Sequence, residues 1–96
     1  MSTYRDDLFS DLKNPEYAAE YLTAAKRESR GTFLLALRDV VEAQRGMAGT
    51  AVAAGVNREN LYRMLSEEGN PRLTSLDALL ETLGIESRFV PKEKSE

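Results

Sequence analysis

A glycine at position 55 separates two stretches of the chain that both have helical patterns. Gly55 follows Ala51 by four residues, which is the spacing of a helix-turn-helix corner. Glycine readily adopts the left-handed conformation that such a corner needs. Asn57 suits the N-cap of the helix that follows. We therefore predict a helix-turn-helix over residues 47–66.

The helix after this corner has two different sides. Leu61, Met64 and Leu65 recur at i, i+3 and i+4, so they share one stripe that we expect to be buried. In helix-turn-helix proteins the other side reads the major groove of DNA, where arginine binds guanine, asparagine binds adenine and glutamate accepts from cytosine. A solvated helix face is the plain alternative. The predicted base-contacting residues are Arg58, Glu59, Asn60, Tyr62 and Arg63.

Residues at the edges of this motif are candidates for contacts with DNA phosphates. Loops and helix ends commonly supply such contacts, and the amino end of a helix attracts an anion. Ordinary surface or packing roles would account for the same residues equally well. The candidates are Arg45, Met47, Asn57, Asn70 and Arg72.

The composition argues against an enzyme. The 96 residues include no cysteine and no histidine, which removes disulfides, the usual zinc sites and the commonest general base. No nucleophile–base pair or glycine-rich phosphate loop is present, so we expect no catalytic residue, no metal site and no cofactor. No stretch approaches the roughly 20 apolar residues that span a bilayer, and the amino terminus is too polar for a signal peptide. We therefore expect a cytoplasmic protein without membrane contact.

The charge distribution predicts weak DNA affinity for a single copy. The net charge is −3, and residues 31–72 carry five basic and five acidic residues, so the motif is not a basic patch. A homodimer would double the binding surface. Residues 85–90 roughly alternate and predict a short strand before Pro91, which could pair across a dimer axis through Ile85, Phe89 and Val90.

Caps and breakers predict helices along the whole chain. Asn14 and Pro15 start one helix, which Gly31 is expected to end, and Thr32 is expected to cap the next. Thr74 is the expected cap of the last helix. We expect a single domain over residues 1–90, in which residues 1–30 form an N-terminal helical extension. Residues 91–96 are predicted to be a disordered tail.

Four of the seven aromatic residues lie within the first 21 positions. They either pack the N-terminal helices on the core or form a partly exposed surface for a protein partner, because aromatic side chains dominate binding hot spots. Acidic residues nearby would suit a basic partner. The candidate contacts are Tyr4, Phe9, Asp11, Tyr17 and Tyr21.

Five segments together resemble the addiction-module antidote family, the HigA-like antitoxins of bacterial type II toxin–antitoxin pairs. They are TYRDDL at 3–8, NPEYAAEYL at 14–22, FLLALRDV at 33–40, NRENLYRMLS at 57–66 and GNPRL at 69–73. The resemblance implies a lambda-repressor-like helix-turn-helix fold. Together with the sequence patterns, it predicts an all-α domain of about five helices with an N-terminal helical extension and a short C-terminal strand. One departure is Thr50, where relatives commonly have leucine, and Gly49 lowers the helix propensity beside it.

The resemblance also implies two binding partners. The protein would neutralise a small toxin similar to the RelE and HigB ribonucleases, and would repress its own operon as a homodimer on double-stranded operator DNA. The family's recognition helix corresponds to residues 57–66. Two other functions fit the residues: a phage-type repressor without a toxin partner, and a toxin inhibitor that does not bind DNA.

Overall fold

A computed structural model describes residues 3–93, which form six α-helices. In chain order they are α1 (Tyr4–Leu12), α2 (Pro15–Glu28), α3 (Arg30–Gln44), α4 (Gly46–Ala54), α5 (Arg58–Met64) and α6 (Leu73–Thr82). None of them is long and apolar enough to cross a membrane.

The first two helices begin at side-chain caps. The hydroxyl of Thr3 accepts from the Asp6 N–H, and the Asp6 carboxylate accepts from the Thr3 N–H, which makes a reciprocal capping box. The side chain of Asn14 accepts from the Glu16 N–H at 2.8 Å, and Pro15 occupies the first helical position. The predicted helix start at Asn14 and Pro15 is therefore confirmed.

Helix α3 forms the centre of the molecule. Helices α1 and α2 pack against it, and α4 links it to α5 and α6. One continuous hydrophobic core joins all six helices, so α5 is anchored to the same core as the N-terminal helices. Its fully buried large side chains include Leu12, Leu37, Val40, Val41, Leu61, Leu65 and Leu79.

The junction between α2 and α3 differs from the prediction. Helix α2 already ends at Glu28, and Ser29 caps α3 by accepting from the Thr32 N–H at 3.0 Å. Gly31 therefore lies inside α3, and the predicted cap at Thr32 is wrong. Gly31 is small for a tertiary reason: a Cβ there would lie 2.9 Å from the backbone oxygen of Glu67.

The predicted all-α class is confirmed. The predicted short C-terminal strand over residues 85–90 is wrong, because residues 3–93 contain six helices and no strand. The Ile85 N–H donates to the Leu80 carbonyl at 2.9 Å and so completes the end of α6, where Gly84 has a φ of 74°. An alternating segment also needs another extended segment to pair with, and the described residues supply none.

Helix α6 also starts before the predicted position, because Arg72 is its N-cap and Thr74 lies within its first turn. At the other end, residues 91–93 are exposed and have no regular structure. The rest of the predicted disordered tail, residues 94–96, lies outside the described residues.

Candidate functional site

The turn between α4 and α5 is built as the spacing predicts. Gly55 has a φ of 71° and a ψ of 32°, in the left-handed region. The Val56 N–H donates to the Ala51 carbonyl at 2.9 Å, and the Gly55 N–H donates to the Val52 carbonyl at 3.2 Å. This pair of bonds satisfies carbonyl groups that the end of a helix leaves free. The direction in which α5 leaves α4 is therefore fixed by backbone hydrogen bonds.

Helix α5 begins at Asn57, whose side-chain oxygen accepts from the backbone N–H groups of Glu59 at 2.7 Å and Asn60 at 3.4 Å. Leu61, within the helix, and Leu65, directly after it, are fully buried. Every predicted base-contacting side chain is exposed. These five residues, Arg58, Glu59, Asn60, Tyr62 and Arg63, form what we call the outer face of α5.

Two arginines lie against the ring of Tyr62, which is 37% exposed. The Cζ atom of Arg58 is 5.7 Å from the ring centre, and that of Arg38, in α3, is 5.1 Å away. Glu42 holds Arg38 through an Nε–Oε1 distance of 3.2 Å. Sequence reasoning missed Arg38, because its contact with Tyr62 joins two helices that are distant in the chain. It also missed Glu42, although the i, i+4 spacing from Arg38 is a local signal that could have found it.

An open groove of about 950 Å³ runs between α5 and the loop that leads to α6. It is lined by Asn57, Asn60 and Arg63 from the corner and α5, and by Asn70 and Arg72 from the loop. The fold therefore brings two predicted base-contacting residues together with three predicted phosphate-contacting residues. Arginine and asparagine side chains supply hydrogen-bond donors suited to an anionic ligand, and Glu68 adds one carboxylate to the same lining.

The loop approaches α5 closely because residue 69 is a glycine. A Cβ at Gly69 would overlap the Met64 carbonyl and lie 3.0 Å from the Arg63 carbonyl oxygen. Gly69 is buried even though its neighbours in the loop are exposed. Its lack of a side chain thus sets the distance between the two walls of the groove.

Two other predicted phosphate contacts lie apart from this groove. Arg45 lines a separate hollow of about 440 Å³ between α4 and α6. The side chain of Met47 is only 5% exposed and belongs to the core. At Met47, a contact with phosphate would therefore have to use the backbone at the start of α4.

Thr50 is the one buried polar residue among the described positions whose side chain has no hydrogen-bond partner. It is fully buried on the core side of α4, beside Met47 and Ala51. A buried hydroxyl without a partner loses its hydration and gains nothing in return. Thr50 therefore weakens the helix that precedes α5.

The predicted protein-binding residues lie on α1 and α2. Tyr4 is 84% exposed and Tyr17 is 42% exposed. The hydroxyl of Tyr21, which is half-buried, donates to Oδ2 of Asp39 at 2.7 Å. Burial, together with this bond to a carboxylate, raises the pKa of Tyr21 from 10.0 to about 12. Tyr21 therefore stays protonated, and can keep donating to Asp39 of α3, up to a higher pH than an ordinary tyrosine.

The other two residues of this group differ in exposure. Phe9 is half-buried, packs against the core and is covered by the guanidinium of Arg5, whose Cζ lies 4.5 Å from the ring centre. Asp11 is exposed. Tyr4, Tyr17 and Asp11 are thus more accessible than Phe9 and Tyr21.

The three residues predicted for a dimer interface also differ in exposure. Ile85 packs against the core, whereas Phe89 is 101% exposed and Val90 is 73% exposed. An aromatic and an aliphatic side chain are therefore left uncovered at neighbouring positions of a segment without regular structure. Elsewhere, residues 3–93 contain no cluster of three or more acidic side chains arranged to hold a metal ion.

Comparison with known proteins identifies the family. The family model described as probable addiction module antidote protein matches residues 3–91, and the chain belongs to that family. An uncharacterised protein of Haemophilus influenzae is 32% identical over 81 residues, which cover 83% of this chain and 82% of that protein. No solved structure matches the chain.

Proposed function

We propose that the protein is an antitoxin of a type II toxin–antitoxin module, which neutralises a small RelE- or HigB-like toxin and represses its own operon by binding operator DNA as a homodimer. Its membership of the addiction module antidote family supports the antitoxin role. The observation that carries the DNA-binding role is the division of α5 into an inner side, where Leu61 is fully buried and Met64 partly buried, and an exposed outer face.

The groove beside α5 supports the same proposal. Base recognition needs side chains that reach base edges, and register on the duplex needs contacts with the phosphates beside them. The outer face of α5 offers the first group. Asn57, Asn70 and Arg72, which line the groove, offer the second. A backbone that passes along this groove would be held from both walls.

A titration of Arg63→Ala tests the DNA contact. The probe is a labelled duplex spanning the promoter of the protein's own operon, and fluorescence anisotropy gives the affinity. Loss of one bidentate arginine contact should weaken binding roughly tenfold. Arg27→Ala is the matched control, because Arg27 is exposed in the last turn of α2, away from the groove. Equal affinities for the two variants would remove Arg63 from the interface.

The N-terminal surface is the proposed toxin contact, because it offers exposed tyrosines beside an acidic residue. Tyr4→Ala and Tyr17→Ala should each reduce co-purification of the toxin encoded by the neighbouring gene, while DNA affinity stays unchanged. Both side chains are exposed, so neither change removes a core residue. If both variants retain the toxin as the native protein does, the contact lies elsewhere.

Dimerisation is proposed to involve Ile85, Phe89 and Val90. Burial of two exposed apolar side chains against a second copy would release water from both. A dimer could also place two copies of α5 about 34–36 Å apart, one turn of DNA. Phe89→Ser should shift the protein toward monomer in sedimentation velocity. A dimer that persists in the variant would exclude this interface.

One observation favours an alternative, a toxin inhibitor that does not bind DNA. The chain carries a net charge of −3, and residues 31–72 are neutral overall. Anisotropy measured at two salt concentrations separates the two functions. Binding through phosphates weakens steeply as salt rises, because counterions are released from the duplex. No binding at either concentration would exclude operator binding, and co-purification of the toxin with the same protein would then support the inhibitor.

A further inference from the structure

Arg38 belongs to α3, yet its guanidinium lies at the outer face of α5. Its Cζ atom is 5.1 Å from the centre of the Tyr62 ring, and that of Arg58 is 5.7 Å from the same centre. Both distances lie within the roughly 6 Å at which a cation is attracted to an aromatic ring. Tyr62 is therefore held by one cation from its own helix and by a second from a helix that precedes the corner.

Arg38 is itself fixed by Glu42. Its Nε atom donates to Oε1 of Glu42 at 3.2 Å, one turn further along α3. The other carboxylate oxygen, Oε2, lies 3.7 Å from Nη2 of Arg5 in α1. The side chain of Glu42 is 27% exposed, so solvent screens these contacts only in part. Arg38 thus has a restrained side chain, and its charge is compensated in part, because Glu42 is shared with Arg5.

Arg58 differs from Arg38 in this respect. Among the described residues, no carboxylate lies within ion-pair distance of Arg58. Its positive charge therefore stays available to an anion outside the protein, whereas Arg38 already has an acidic partner, which it shares with Arg5. The Tyr62 ring therefore contacts one arginine with an acidic partner, Arg38, and one without, Arg58. This difference suits a structural role for Arg38 and a ligand-binding role for Arg58.

We propose that Arg38 is a positioning residue for DNA recognition, which acts by holding Tyr62 and, through that ring, Arg58. This inference rests on the proposed operator binding. A side chain that is ordered before binding loses less conformational freedom when the complex forms, so preorganisation raises affinity without a new contact. Arg38 would then contribute to the affinity without touching a phosphate itself.

The test compares Arg38→Met with Arg27→Met on the labelled promoter duplex, at several salt concentrations. Both variants lose one positive charge, and methionine keeps a long, unbranched side chain. Arg38→Met should weaken binding roughly fivefold, the order of one partly exposed cation–π contact, and Arg27→Met should not. The slope of log K against log [salt] should stay unchanged for Arg38→Met. A direct phosphate contact would instead reduce that slope by about 0.9.

A double-mutant cycle with Tyr62→Leu tests whether Arg38 acts through the ring. Once Tyr62 is gone, Arg38→Met should cause no further loss of affinity. Additive losses would overturn the proposal, and so would a reduced salt slope. Arg38→Lys keeps the charge but lacks the planar guanidinium, so it should also lose affinity; if Arg38→Met does not fold, this variant carries the test.

The two proposals fail in distinguishable ways. If the native protein binds the duplex and the Arg38 variants bind equally well, only the positioning role is wrong. If the native protein does not bind the duplex at any salt concentration, operator binding and the positioning role are both wrong. Circular dichroism of each variant confirms that the compared proteins are folded.

Discussion

Helices α4 and α5 follow one another across Gly55, but they are stabilised in opposite ways. Helix α5 begins at a side-chain cap from Asn57 and separates a buried stripe from a polar outer face. Helix α4 begins at Arg45 without a side-chain cap, includes Gly46 and Gly49, and has no charged residue. It buries an unpaired hydroxyl and leaves Val52 83% exposed.

Under the proposed operator binding, this difference fits a structural task for α4 and a binding task for α5. Few local signals favour α4, so its contacts with α3, α5 and α6 hold it in place. Helix α5 has strong local signals and keeps its polar side free. Changes in α4 should therefore alter stability, whereas changes on the outer face of α5 should alter binding. The following substitutions test this division, beginning with the largest expected effect.

Leu61→Ala should cost about 2–5 kcal/mol of unfolding free energy, because it leaves a cavity at a fully buried position. Arg63→Ala, two residues further along α5, should change stability by less than about 0.5 kcal/mol. Urea denaturation followed by circular dichroism measures both. Comparable losses for the two variants would show that α5 is not divided into a structural side and a binding side.

Gly55→Ala should cost about 1–2 kcal/mol, because alanine is strained at a φ of 71°. No neighbouring atom lies within 4 Å of the added Cβ, so the cost comes from the backbone alone. Gly49→Ala should instead stabilise the protein by about 0.5–1 kcal/mol, since its Cβ would meet Arg45 Cβ at an ordinary 3.6 Å. Urea midpoints that move in the same direction would contradict this account of the corner.

Asn57→Ala should cost about 1 kcal/mol, because α5 loses its cap. Asn57→Asp keeps an oxygen acceptor and should retain the stability, but its charge should weaken DNA binding by repelling phosphate. Urea denaturation and anisotropy together separate the cap from the proposed phosphate contact. An Asp variant with native DNA affinity would show that Asn57 serves as a cap only.

Thr50→Val should raise the unfolding free energy by up to about 1 kcal/mol, since it replaces an unpaired buried hydroxyl with a methyl group of similar size. Thr82→Val is the matched control, because the hydroxyl of Thr82 donates to the Ala78 carbonyl at 2.9 Å. That variant should gain nothing. Thermal unfolding of the two proteins provides the comparison, and equal shifts would rule out the unpaired hydroxyl as the cause.

The elements that could be predicted from the sequence are those with local causes. The Asn14–Pro15 start of α2, the corner at Gly55 and the cap at Asn57 each depend on residues within one or two helical turns. The buried and exposed sides of α5 follow from helical periodicity for the same reason. Each of these signals involves only residues that are close together in the sequence, so it can be recognised without the tertiary structure.

The elements that could not be predicted depend on distant residues. Glycine is typical of a helix end, which is why the sequence predicts one at Gly31. In the structure, the missing side chain of Gly31 instead allows Glu67 to pack closely against α3. The alternating residues 85–90 resemble a strand, yet pairing requires a second segment that the described chain does not offer. The contact between Arg38 and Tyr62 joins α3 to α5 and is absent from any local pattern.

The single-residue junction at Ser29 also affects how proteases can cleave the protein. It is the only residue between α2 and α3, with φ −170° and ψ 164°, and it terminates one helix while capping the next. Proteases act on extended stretches that can enter their clefts, and a single-residue junction offers none. Cleavage that separates the first two helices from the remainder must therefore begin by unwinding a helix. The first two helices should consequently stay attached to α3 while early cuts fall in the longer connection between α5 and α6.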